Sequence, residues 1–147
     1  PSLGVGRAFI VFLLESYEHN PQRDNVVLHL HPRLAPYKAA VFPIVKGEEY
    51  ESLSRELVTS LRAEWNVLYD KSGSIGRRYS RNDEIGTPYC ITIDESSVKK
   101  KTVTVRDRDT TKQIVVKIDA LKNVLRSLIN GELVFEKAGK LVETRIK

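Results

Sequence analysis

Three arginines fall within five residues, Arg77, Arg78 and Arg81, inside the stretch SGSIGRRYSRNDEIGTPYCITI that runs from Ser72 to Ile93. A guanidinium presents a rigid fork of donors that matches phosphate oxygens and planar base edges, so such a cluster beside a Gly/Ser loop suits nucleic-acid contact. Steps of three and four residues put all three arginines on one side of a helix. Ser74 is the expected N-cap of that helix and Gly86 its expected C′ residue, with Pro88 barring continuation. The helix is expected from about Ile75 to Ile85, and a largely apolar strand from Tyr89 to Ile93. The same residues also fit a solvated helix face with Arg81 paired to Glu84. Charge and spacing leave both readings open.

The elements that must position this cluster come before it. KAAVFPIV, Lys38–Val45, is a nearly continuous apolar run of the kind found in a strand covered on both faces, with Pro43 near its end. Tyr50, Leu53, Leu57, Leu61 and Trp65 then form one apolar stripe on a helix from about Glu48 to Trp65, with Glu48 and Glu49 suited to its N-terminal dipole. A short strand, Val67–Tyr69, follows. Strand, helix, strand describes a crossover unit, and in such sheets ligands gather beyond the carboxyl ends of the strands. The loops Lys46–Gly47 and Asp70–Ser74 lie there, and the second leads into the arginine helix.

The rest of the chain supplies a frame. Gly4 and Gly6 precede an apolar helix that Arg7 opens and that runs to about Tyr17, expected to be buried against other protein. A polar turn at Asn20–Asn25 and a short strand at Val26–Leu30 come next. After Ile93 a polar excursion carries Lys99, Lys100 and Lys101, expected as a solvated loop. Thr102–Arg106 and Lys112–Ile118 read as strands joined by a polar turn, where Arg106, Asp107, Arg108 and Asp109 form a self-neutralising tip. Asp119 is the expected N-cap of a last helix, Ala120–Asn130, with Leu121, Val124, Leu125, Leu128 and Ile129 as its buried stripe and Gly131 ending it.

Composition narrows the function classes. The chain has 147 residues, 41% hydrophobic and 29% charged, the balance of an ordinary globular protein. A formal charge of +5 permits a nucleic-acid partner without requiring one. The lone Cys90, in a predicted strand, excludes a disulfide framework, and with His19, His29 and His31 it makes no metal-ligand spacing. No metal site is expected. The apolar run Ala8–Leu14 is too short to span a membrane. No Ser/His/Asp or Cys/His constellation can be assembled from spacing.

Three words carry a family resemblance. SGSIGRRYSRNDEIG resembles the anticodon-binding domain of glycyl-tRNA synthetases of the archaeal and eukaryotic kind. PSLGVGR, at the start of the chain, resembles motif 3 of class II synthetases, closely in its glycyl version. TVRDRDTTKQI resembles a hairpin of the same anticodon-binding domain. The words stand in the family's order, and the resemblance covers the chain except for about 16 residues at its end.

The resemblance implies an α/β fold: a mixed, mostly parallel-core sheet with helices on both faces. Residues 1–33 would be the C-terminal remnant of a catalytic domain, 34–131 the anticodon-binding domain, and 132–147 a tail or small hairpin. The implied parent is a cytoplasmic, homodimeric ligase that attaches glycine to its tRNA through glycyl-adenylate, using ATP with Mg²⁺. Arg7 would hold an ATP phosphate, Ser2 would line the amino-acid pocket, and Gly4 would allow close backbone approach. Motifs 1 and 2 would precede Pro1, so this chain is expected to be part of a longer one, inactive alone and carrying no cofactor of its own. Arg77, Arg78 and Arg81, with Arg106 and Arg108, would meet the tRNA anticodon. Asp83 or Asp107 would accept from the exocyclic amine of a cytosine; salt bridging within the domain is the alternative for both acids. A different class, a non-catalytic synthetase-like protein that binds nucleic acid or a partner chain, fits the missing motifs. A small nucleotide-binding domain is the third, and it lacks a phosphate-loop lysine motif.

Overall fold

The apolar run ahead of Lys46 forms strand β3, Ala39–Pro43, whose five residues are all buried. The computed structural model describes residues 2, 4–22 and 24–142. In it β3 is flanked in parallel by β4 (Val67–Tyr69) on one side and β5 (Tyr89–Ile93) on the other. Antiparallel strands β6 (Thr102–Asp107), β7 (Gln113–Lys117) and β8 (Lys140–Leu141) extend the sheet beyond β5. The order is β4-β3-β5-β6-β7-β8, a mixed sheet with a parallel core.

Helices cover both faces. Helix α2, Glu48–Arg62, follows β3 and buries Leu57, Val58 and Leu61, with Tyr50, Leu53 and Trp65 packed at the margin of the same core. Helix α5, Ile118–Asn130, adds Leu121, Leu125, Leu128 and Ile129 to that core. On the opposite face α3, Ile75–Glu84, sets Ile75 and Tyr79 over Ala40, Phe42 and Cys90. Because side chains alternate along a strand, Ala39 and Val41 serve the first face while Ala40 and Phe42 serve the second. A strand used on both faces must be apolar throughout.

Ser74 caps α3 by accepting from the Arg77 amide, and Gly86 follows the helix at φ +77°. Both agree with the sequence reading. Four segments differ from it. The first helix, α1, spans Val5–Ser16 and gives way to a strand β1, Tyr17–Asn20, which pairs antiparallel with β2, Asn25–Leu28. Phe9, Ile10, Val11, Phe12 and Leu14 of α1 are exposed, so the protein expected to cover this helix does not come from the described residues. The lysine-bearing loop contains a short helix α4, Glu95–Lys99, closed by a reciprocal capping box between Asp94 and Ser97. Helix α5 starts two residues earlier than expected, with Lys117 at its N-cap and Asp119 inside its first turn. Beyond Gly131, in left-handed backbone at φ +75°, a 3₁₀ turn at Phe135–Lys137 leads into β8. Pro1, Leu3, Arg23 and the tail 143–147, which the sequence reading also covered, lie outside the described residues.

Candidate nucleic-acid interface

The strand order places a topological switch at β3. Chain leaving β3 passes through α2 to β4 on one side, and chain leaving β4 passes through α3 to β5 on the other. The connections diverge to opposite faces, so a crevice opens beyond the carboxyl end of β3, where open α/β sheets bind ligands. That crevice, about 560 Å³, is lined by Pro43, Ile44, Val45, Lys46, Glu51, Lys71, Gly73 and Arg78. Lys46 and Lys71 were not singled out from sequence; their place at the ends of β3 and β4 is the signal that finds them.

The loop 70–74 is shaped by its neighbours. The Asp70 carboxylate accepts from the Ser72 amide at 2.8 Å and from Arg81 Nη2 at 2.6 Å. Arg81 Nη2 also donates to the Ser72 carbonyl at 2.7 Å. Burial works against ionisation of Asp70, but these hydrogen bonds and the Arg81 charge hold its carboxyl below its ordinary value. Gly73, at φ +77°, lets the loop turn close to α3: a Cβ built there would lie 3.9 Å from both Arg77 Cδ and Arg81 Nη1. Arg77 is exposed, and 46% of the Arg81 side chain remains exposed despite its pairing. These two guanidiniums flank the same glycine that lines the crevice.

Arg78 departs from the expectation that all three arginines share an outward side. It is buried, donating Nη1 to the Pro43 carbonyl at 2.7 Å and Nε and Nη2 to the Gly73 carbonyl at 3.2 and 2.9 Å. Its guanidinium forms part of the crevice floor and clamps the end of β3 to the loop. In place of the alternative Arg81–Glu84 pairing, Arg81 bridges to Asp70.

The other expected anticodon residues also turn inward. Arg106 donates Nη1 and Nη2 to the two oxygens of Asp83 at 2.8 and 3.0 Å, both residues being buried. The same guanidinium lies 4.6 Å from the Tyr79 ring centroid, a cation–π contact. Burial pushes the Tyr79 phenol up to about 12 and the neighbouring Cys90 thiol up to about 12, so both stay protonated and act as packing groups. Arg108 is 1% exposed and reaches the Gly86 and Leu30 carbonyls at 2.8 and 2.9 Å and the Asp109 carboxylate. Asp107 Oδ2 accepts from the Thr110 amide and hydroxyl at 2.9 and 2.7 Å. Within the turn Arg108 pairs with Asp109, whereas Arg106 is neutralised from α3 by Asp83, for which the salt-bridge alternative describes the geometry.

Ser2, Gly4 and Arg7 sit apart from this site, exposed at the start of α1, where the Gly4 carbonyl accepts from the Ala8 amide at 3.0 Å. No group of three His, Cys, Asp or Glu able to hold a metal occurs among the described residues, and none of the described helices is long and apolar enough to cross a membrane.

A parallel-core sheet with a crevice at its switch point, lined by Lys46, Arg78 and a Lys71–Glu51 ion pair, has the architecture of α/β modules that bind ligands. The chain belongs to the anticodon binding domain family, whose match spans residues 38–128. Similar curated proteins are glycine–tRNA ligases: one from Rhodopirellula baltica, 47% identical over 134 residues and 86% of this chain, one from Clostridium kluyveri, 46% identical over 88% of this chain, and one from Corynebacterium efficiens, 46% identical over 89% of this chain. The chain spans only 25%, 28% and 30% of the length of these three relatives.

Proposed function

We propose that this chain reads the anticodon of glycine tRNA as part of a class II glycine–tRNA ligase of the type shared with archaea and eukaryotes. The observation that carries the reading is the crevice beyond β3, with Arg77 and Arg81 flanking Gly73 and Lys46 and Lys71 on its walls. Anticodon bases are unpaired, so they can be splayed into such a crevice and read on their edges. The exposed arginines and lysines hold phosphates or base edges; Arg78, Asp83, Arg106, Asp107 and Arg108 build the frame that aims them.

The whole protein, on this reading, attaches glycine to its tRNA with ATP and Mg²⁺ through glycyl-adenylate, as a cytoplasmic homodimer. Residues 1–33 are the end of its catalytic domain, with Ser2, Gly4 and Arg7 in motif 3. Residues 34–131 are the anticodon-binding domain and 132–147 its tail. The family match over 38–128 and the three sequence words in family order support this division.

The test is binding of this chain to a glycine tRNA transcript and to the same transcript with its anticodon changed, both at one fixed salt. Loss of affinity on changing the anticodon is expected. Equal binding to both would sink the reading and leave a synthetase-like accessory protein held by general electrostatics.

A further inference from the structure

The β1–β2 hairpin is seated against the end of α3. A Cβ added at Gly86 would meet the Leu28 carbonyl oxygen at 3.0 Å and Leu30 Cδ1 at 3.1 Å, so glycine is what allows this close approach. Two polar ties hold the hairpin there. Arg108 is the first, because it bonds the Leu30 carbonyl of the chain leaving β2 and the Gly86 carbonyl after α3 at once.

His29 is the second. Its Nδ1 lies 2.6 Å from Asp109 Oδ1 in the β6–β7 turn, and its Nε2 lies 2.8 Å from Glu18 Oε2 on β1. A neutral imidazole has one N–H and one lone pair. With a carboxylate oxygen against each ring nitrogen, only the imidazolium donates to both. The neutral ring would direct its lone pair at one of the two anions. Among the described residues the groups facing this ring are Glu18 from β1 and Asp109 from the turn, with Arg108 behind Asp109 and the Asn20 amide donating to the other Glu18 oxygen at 3.2 Å.

We propose that His29, as an imidazolium between Glu18 and Asp109, is a proton-operated latch that fastens the β1–β2 hairpin to the β6–β7 turn and so to the end of helix α3. Raising the pH through the histidine's titration removes one donor and turns one contact repulsive. The hairpin then loosens on that side while Arg108 still holds the other. Histidine is the side-chain type suited to such a change of charge near neutral pH. His29 is a positioning residue: it acts on α3 through the hairpin and the turn. The latch stands independently of the RNA reading, since the hairpin itself reports it.

Ring nitrogen NMR and backbone amide exchange on the intact chain, followed between about pH 5.5 and 8.5, test the latch. Protection of the β1–β2 amides, taken relative to unstructured peptide at each pH, is expected to fall about tenfold as the His29 ring titrates, while β3 and β5 amides hold. His29→Gln is expected to abolish that pH dependence and leave the hairpin at the wild-type high-pH protection. Constant protection across the ring's titration would overturn the latch. So would a pH dependence surviving in His29→Gln, which would assign it to His19 or His31. Glu18→Gln provides a second route if His29→Gln does not fold. A side-chain amide can face either ring state, so the dependence should shrink about threefold, and an unchanged dependence would equally overturn the latch.

Discussion

RRYSR on α3 and RDRD at the end of β6 look alike in the sequence and end up with opposite amounts of usable charge. On α3 only Arg78 turns inward; Arg77 and Arg81 keep exposed guanidiniums beside Gly73. In RDRD both arginines are consumed, Arg106 by Asp83 and Arg108 by two carbonyls and Asp109. A basic word therefore presents charge where its guanidiniums stay exposed, as Arg77 does and as Arg81 partly does despite its bridge to Asp70. One stretch displays guanidiniums at the surface, and the other locks the helix that carries them.

The contrast breaks most visibly at Arg108. Arg108→Ala strands the buried Gly86 and Leu30 carbonyls and removes one partner of Asp109; at about 1–3 kcal/mol for each stranded acceptor, a loss of about 3–5 kcal/mol is expected. Urea denaturation checks this; a loss below about 1 kcal/mol would place Arg108 with the displayed arginines. Arg78→Ala should cost about 1.5–3 kcal/mol, the range for charge-assisted hydrogen bonds, and should weaken RNA binding by loosening the loop 70–74. An Arg78→Ala chain of unchanged stability that binds RNA poorly would move Arg78 to the displayed group.

Arg77→Ala and Arg81→Ala sharpen the other side. Each should change stability by no more than about 1 kcal/mol, since exposed pairs contribute little. Each should weaken tRNA binding, and a phosphate contact would show as a drop of about 1 in the salt slope. Titration isothermals at several salt concentrations decide between phosphate and base. The smallest effect concerns acid stability. The Asp70 carboxyl is depressed in the folded state, so its contribution is present above the unfolded value and disappears as pH falls through the folded one. Urea midpoints measured from neutrality down to about pH 3 should fall less steeply in Asp70→Asn than in the wild type.

Much of the fold was legible because its long elements obey simple periods. β3 and β5 read as uniform apolar runs, α2 and α5 as stripes at three- and four-residue steps, and α3 from its Ser74 cap and following Gly86. The short polar elements were not legible. β1 exists because YEHN pairs with β2, and α4 because Asp94 and Ser97 cap each other; neither has a hydrophobic period to read. The site was half legible for the same reason. The crevice follows from topology, but the inward turn of Arg78 depends on a carbonyl 35 residues away and that of Arg108 on one 78 residues away. Spacing along a helix cannot announce acceptors that only tertiary structure brings near.

The two-residue strand β8 has a further consequence. It pairs Lys140 with Val115 and Leu141 with Ile114, and the Val142 amide donates to the Gln113 carbonyl, so it occupies the outer rim of β7. Without it QIVVK would expose a rim of open backbone groups on a β-branched strand, a template on which other chains can stack. The opposite rim, β4, is only three residues long and offers little to stack on. A few residues near the end of the chain thus act as a guard against self-assembly, and trimming them away would be felt as precipitation before it was felt as lost recognition.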